Sequence, residues 1–252
     1  MTTDIDFLTW SEAENTAYDL AILPWGATEP HNYHLPYTTD NVLSRSVSTD
    51  AARKAALQGV KPMVLPAIPF GSQNPGQTDL IFCIHARQET QKAILTDIVS
   101  SLHHQGIRKL LILNGHGGNT FRTLVRDLLV DFPDFVIVVS DWYKLVDGKT
   151  YFTEPGDHAG ELETAMMMHF HPERVKDKEF FGSGESKKFK IDGLNTGFWT
   201  PRHWTRVSAD TGIGNPAHAT AVNGKNFTEA VTDTVARFIV EFAQADLNAM
   251  YE

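Results

Sequence analysis

The apolar run Lys109-Leu110-Leu111-Ile112-Leu113 stops abruptly at Asn114-Gly115-His116-Gly117-Gly118-Asn119, and apolar residues then recur at helical spacing from Phe121 to Leu129. A short continuous apolar run bounded by turn residues reads as a strand buried on both faces, which is the habit of parallel sheets covered by helices. The same alternation recurs along the chain. Strands are expected at Asp19–Leu23, Met63–Ile68, Lys109–Leu113 and Phe135–Ser140, and helices at Asn41–Ala56, Glu89–His104, Thr120–Leu129 and Gly160–His169. A last helix, Thr228–Met250, carries Val231, Val235, Phe238, Ile239 and Phe242 on one face. Strands and helices alternating at this spacing predict right-handed βαβ units and a doubly wound, mostly parallel sheet. His116 then lies in a strand-to-helix turn at the carboxyl edge of the sheet, where open α/β sheets bind ligands. Its glycines allow a close approach of backbone to ligand and, where needed, positive φ. Neither Gly-x-Gly-x-x-Gly nor a Walker lysine accompanies the turn, so nucleotide binding is not indicated.

A second segment, Ala21 to Asp40, ends an apolar run in Trp25-Gly26-Ala27-Thr28-Glu29-Pro30-His31 and reaches Asp40 nine residues later. Glu29 and His31 are two apart, so on extended backbone both side chains point to the same side. Mixed carboxylate and imidazole ligands suit zinc, manganese or iron, and do not suit a structural all-thiolate site. Asp40 also fits the start of a helix, where a carboxylate caps free amides. A third segment, Gly156-Asp157-His158-Ala159-Gly160-Glu161-Leu162-Glu163-Thr164, precedes three methionines expected in the core. Glu161 and Glu163 face different ways on a helix and are not expected to share one task.

Taken together, these segments resemble the creatininase (creatinine amidohydrolase) family. The matching stretches are Gly26 to Asp40, Asn114 to Asn119, His158 to Thr164, and Thr211-Gly212-Ile213-Gly214-Asn215-Pro216-Ala217-His218-Ala219-Thr220, in the family's order. The resemblance implies a three-layer α/β/α sandwich with a mostly parallel central sheet, formed by residues 1–252 as one domain. It implies a metal-dependent amidohydrolase with two divalent ions, zinc or manganese and next to them iron. Carried over by position, Glu29, His31, Asp40 and His116 match metal ligands, with Asp40 bridging. Some members place a further ligand two residues after the histidine of the second motif. Gly118 stands there in this chain, and Glu163 is the nearest substitute. His158 matches a proton-transfer residue, and His158 with Glu163 makes up the expected catalytic pair. His34 also matches a family histidine and reads as a group that orients a ligand.

Two departures bear on the substrate. Asn32-Tyr33 follows His31 where the pattern prefers Gly-Pro, and Phe70-Gly71-Ser72-Gln73-Asn74-Pro75-Gly76-Gln77-Thr78 replaces a loop that usually contacts substrate. The expected reaction is hydrolysis of a small non-peptide or cyclic amide C–N bond by metal-activated water, with His158 handing a proton to the leaving nitrogen. A two-metal phosphoesterase ranks lower because no Arg or Lys cluster adjoins the motifs. A non-catalytic small-molecule-binding or scaffold protein with a degenerate metal site is the remaining alternative, which Gly118 and the altered loop would favour.

Net charge of −9 disfavours nucleic acid and anionic membranes as partners. The single cysteine, Cys83, excludes an intrachain disulfide and a cysteine-based zinc site, and its run Leu80–Ile84 reads as buried. No secretory signal and no apolar stretch of the roughly 20 residues that a membrane helix needs is visible, which points to a cytoplasmic enzyme. Between Lys176 and Asn215 no period is evident. That excursion holds Phe198-Trp199-Thr200-Pro201-Arg202-His203-Trp204, whose aromatic and arginine content suits a substrate-facing or subunit-contact loop. With the family resemblance it suggests a homo-oligomer, a hexamer.

Overall fold

The computed structural model describes residues 2–251. Strands β1 (Leu20–Trp25), β2 (Pro62–Val64), β3 (Lys109–Asn114) and β4 (Val136–Asp141) pair in parallel in the order β2-β1-β3-β4. Helices α1 (Thr39–Ala56), α2 (Gln88–His104), α3 (Arg122–Asp131), α4 (Glu161–Phe170) and α5 (Ala221–Gln244) cover the sheet.

Side chains alternate along a strand, so β1 and β3 each feed two cores. Leu20, Ile22, Leu111 and Leu113 pack with Leu43 and Val47 of α1, Met166 of α4 and Val231, Val235 and Ile239 of α5. Ala21, Leu23, Leu110 and Ile112 pack on the other face with Leu95 and Val99 of α2 and Leu124 and Leu128 of α3. Fully burying each Leu or Ile stabilises the fold by roughly 1.5–3 kcal/mol. The result is the α/β/α sandwich, with an all-parallel sheet.

The strand order places the functional edge. From β1 the chain crosses to β2 on one side, while β3 and β4 lie on the other. The loops leaving the carboxyl ends of β1 and β3 therefore part, and a crevice opens between them. Glu29 and His31 follow β1, and His116 follows β3.

Three expectations need correction. The second strand is only Pro62–Val64, and Ile68 returns as an isolated bridge to Trp25. The last helix runs from Ala221 to Gln244 and not from Thr228 to Met250. The apolar run Leu80–Ile84 is no core segment: Ile81 and Phe82 are 73% and 80% exposed, and Cys83 is half-buried. Among the described residues no helix is long and apolar enough to cross a membrane.

Candidate metal centre and active site

Glu29, His31, Asp40, His116 and His158 are all buried and converge at the crevice; Glu163 joins them from the first turn of α4. The arrangement rests on how each imidazole is tied. A carbonyl can only accept, so the ring nitrogen beside it carries the proton. His31 donates Nδ1–H to the Glu29 carbonyl at 3.0 Å, His116 donates Nε2–H to the Ser72 carbonyl at 2.7 Å, and His158 donates Nε2–H to the Pro30 carbonyl at 2.8 Å. The opposite nitrogen of each ring faces carboxylate oxygen. His31 Nε2 lies 3.0 Å from Asp40 Oδ1 and 4.0 Å from Glu163 Oε1. His116 Nδ1 lies 2.8 Å from Glu29 Oε1 and 3.1 Å from Asp40 Oδ2, and His158 Nδ1 lies 3.7 Å from Glu29 Oε1.

A neutral imidazole nitrogen and a carboxylate oxygen at such distances repel unless a proton or metal ion sits between them. Burial alone would keep His31 and His116 uncharged. Asp40, Glu163 and Glu29 overcome it at His31 and push its pKa up to about 10, and Glu29 and Asp40 hold His116 well above the ordinary value. The carboxylates respond in kind. Burial works to raise Glu29 and Asp40, yet the facing histidines hold both below the usual range. Glu163 differs, because burial outweighs His31 and His158 and its pKa is raised. Asp40 Oδ2 is buried without a hydrogen-bond donor. The donor set therefore fits divalent cations: Glu29, Asp40 and His116 form one group able to hold an ion and His31, Asp40 and Glu163 a second, with Asp40 common to both. Glu29, His31 and His158 form a third possible group.

The surroundings explain the choice of residues. A Cβ at Gly118 would run into the Ser72 carbonyl and the His116 ring that bonds to it, so no ligand-bearing side chain fits there. None of Gly115, Gly117 and Gly118 uses positive φ; the turn needs small residues and not left-handed ones. Asn32 and Ala159, each directly after a site histidine, are left-handed at φ 54° and 50°. Glu163 Oε2 accepts the Ala159 amide at 2.5 Å, which leaves Oε1 toward His31. Glu161 turns away and accepts the Glu154 amide at 2.9 Å.

Gln77 was not singled out by the sequence, although its loop was. It is fully buried, donates its amide to Glu29 Oε2, and accepts from the Asn74 amide. Its only signal was its place in the loop that departs from the family pattern. His34 reaches no candidate ligand; it bonds Thr164 Oγ1 at 2.8 Å and packs at a tilt against Phe181.

A small pocket of about 80 Å³ lies against Glu29, Asp40, His116, His158 and Glu163, and a cleft of about 620 Å³ opens beside it. Trp199 to Arg202 form part of the cleft wall. Trp204 is buried edge-on to His158, Arg202 pairs with Asp157 at 2.6 Å, and Phe198 and Trp199 are exposed. The aromatic excursion thus contributes both cleft wall and free surface.

Residues 6–239 match the creatininase family, described as creatinine amidohydrolase. A crystal structure from Bacteroides fragilis, named "Putative creatinine amidohydrolase", superposes with a TM-score of 0.94 at 48% identity, covering all of both chains. The mycofactocin precursor peptide peptidase of Mycobacterium ulcerans is 29% identical over 225 residues, 86% of this chain and 83% of its own. Creatininase in a manganese form shares the fold at 21% identity, with a TM-score of 0.80 over 97% of this chain and 100% of the other, and a variant creatininase of zinc–zinc type does so at 0.77. By the extent of this match and the residues that converge at the crevice, the chain belongs to the creatininase family of metal-dependent amidohydrolases.

Proposed function

We propose that this protein hydrolyses the C–N bond of a small amide with two divalent ions, zinc or manganese. One ion would be held by Glu29, Asp40 and His116 and the other by His31, Asp40 and Glu163. The observation that carries the reading is the tethering of the histidines: each gives one N–H to a backbone carbonyl and aims the other nitrogen at the buried carboxylates. Such tethers fix tautomer and ring direction before a ligand arrives. When bound, the ions supply Lewis acidity and lower the pKa of water.

The chain's own groups do the rest. Gln77 immobilises one Glu29 oxygen, leaving the other for the centre. His158, backed by Trp204, keeps Nδ1 free beside the pocket and is placed to pass a proton to the departing nitrogen. General-acid help of this kind is worth roughly 10²–10⁴-fold.

The relatives act, by their names, on creatinine and on a precursor peptide. What those share is an amide C–N bond, and the reading is held to that. Among the described residues, Arg202 is the only Arg or Lys lining the larger cleft and is already paired with Asp157, which speaks against a phosphoester. We also read the chain as a homo-oligomer, a hexamer, in which exposed Phe198, Trp199, Ile81 and Phe82 would find cover. Metal-loaded protein should release amine from members of a panel of lactams, formamides, cyclic ureides and short peptides. A full complement of two ions with no turnover on any member would favour the non-catalytic binding protein.

A further inference from the structure

Hydrolysis of an amide puts negative charge on the carbonyl oxygen, and the small pocket contains few groups able to meet it. Its side chains are Glu29, Asp40, Asp157 and Glu163, the imidazoles of His116 and His158, the apolar Pro155 and Leu162, and Tyr143. Both imidazoles spend an N–H on a backbone carbonyl. Among the described residues, that leaves the Tyr143 hydroxyl as the one neutral side-chain donor on the pocket wall.

Tyr143 stands where such a donor is useful. It follows β4 in a turn, Trp142–Lys144, at the same carboxyl edge of the sheet as the candidate ligands. Its oxygen hangs over the Gly117 backbone, next to His116: a Cβ built on Gly117 would lie 3.6 Å from Tyr143 Oη and close to nothing else. The ring is clamped. Trp142 meets it edge-on with centroids 5.7 Å apart, and Trp142 is itself fixed by a 3.1 Å bond from Nε1 to Ser44 Oγ on α1. Lys144 Nζ sits 5.2 Å from the ring centroid while paired with Asp141 at 2.8 Å. Burial first, then Asp141, Asp40 and Glu163, push the phenol pKa up, so the hydroxyl keeps its proton at neutral pH.

We propose that Tyr143 is a catalytic residue of this site, donating its O–H to the amide carbonyl oxygen as the tetrahedral intermediate forms. This rests on the amide-hydrolase reading above. In the step, a water oxygen bonds to the carbonyl carbon as His158 Nδ1 takes one of the water's protons, and the C=O π pair moves onto oxygen, which accepts the Tyr143 hydrogen bond without taking its proton. On collapse that pair re-forms C=O, the C–N bond breaks, and nitrogen leaves with a proton from His158. Preorganised donors of this kind stabilise the charge developed in the transition state more than the ground-state carbonyl. Tyr143 should accordingly act on kcat and not on KM.

The test is Tyr143→Phe in the full chain, loaded with manganese or zinc. Acetohydroxamate serves as the probe, since its oxygens present negative charge at the centre. The variant should keep the wild-type metal content by elemental analysis and the wild-type melting temperature. Acetohydroxamate should bind about tenfold more weakly by calorimetry, and on the small amide cleaved best by the wild type kcat should fall about 10²-fold with KM little changed. A metal-loaded Tyr143→Phe protein with wild-type acetohydroxamate affinity and wild-type kcat overturns the proposal alone. A wild-type chain that takes up no metal and cleaves no amide overturns the underlying reading and this proposal with it.

Discussion

His31 Nε2 lies 3.0 Å from Asp40 Oδ1, with both side chains shut off from solvent. The other Asp40 oxygen faces His116 Nδ1 at 3.1 Å, so a single carboxylate is shared by two groups able to hold an ion. Removing it should therefore empty both. Asp40→Ala is expected to lose both ions on elemental analysis, with the chain still folded by circular dichroism. Wild-type metal content in that variant would sink the ligand assignment.

His158 and Glu163 are separable by the same logic. His158 Nδ1 stands 3.7 Å from the nearest carboxylate oxygen, whereas Glu163 shares the His31–Asp40 group. His158→Asn should retain two ions yet lose turnover by roughly 10²-fold or more. Glu163→Gln should weaken one ion site, with activity partly restored by excess metal. The reverse pattern, an emptied site in His158→Asn and two filled sites in Glu163→Gln, would exchange the two roles.

Gln77 acts through Glu29. Its amide holds Oε2, and partners of this type commonly tune metal affinity by about 10–100-fold. Gln77→Leu should weaken one ion by that order when titrated against a chelator, while the second ion binds as before. Unchanged affinity for both ions would show that Glu29 needs no such support.

His34 predicts an acid limb of stability. Burial, then the charge on neighbouring His31, lowers its pKa to about 4 from an ordinary 6.5. Above pH 6.5 the ring is neutral in folded and unfolded chains alike. As pH falls from 6.5 toward 4, the unfolded chain binds a proton that the folded one refuses, so stability is lost across that window. His34→Asn should lose less melting temperature between pH 7 and 4.5 than the wild type does. Equal losses in the two proteins would remove His34 from the explanation.

Assembly is open to direct measurement. Light scattering at micromolar concentration should report roughly six times the 28.1 kDa of one chain. A mass of one chain would contradict the expected oligomer.

What the amino-acid order determined by itself was whatever depends on local periodicity or on fixed spacing. The strands at β1, β3 and β4 fall within two residues of expectation, because a bounded apolar run in an α/β chain has few other uses. Glu29, His31, Asp40, His116, His158 and Glu163 were legible because short motifs hold them, and the fold brings all six together. Tertiary structure decided the rest. The last helix begins seven residues early because Thr220 caps it through the Asn223 amide, and Gly224 is the residue that lets the helix press on the Ala165 carbonyl of α4. It ends early where Lys109 draws off the carbonyls of Ala243 and Ala245. His34 looked like a partner for a ligand and instead binds Thr164, 130 residues away in sequence. Gln77 and Tyr143 reach the site from loops without periodicity, so only the packed crevice reveals them. Long-range contacts such as these leave no mark on neighbouring residues, since they join groups that only the folded sheet brings within reach.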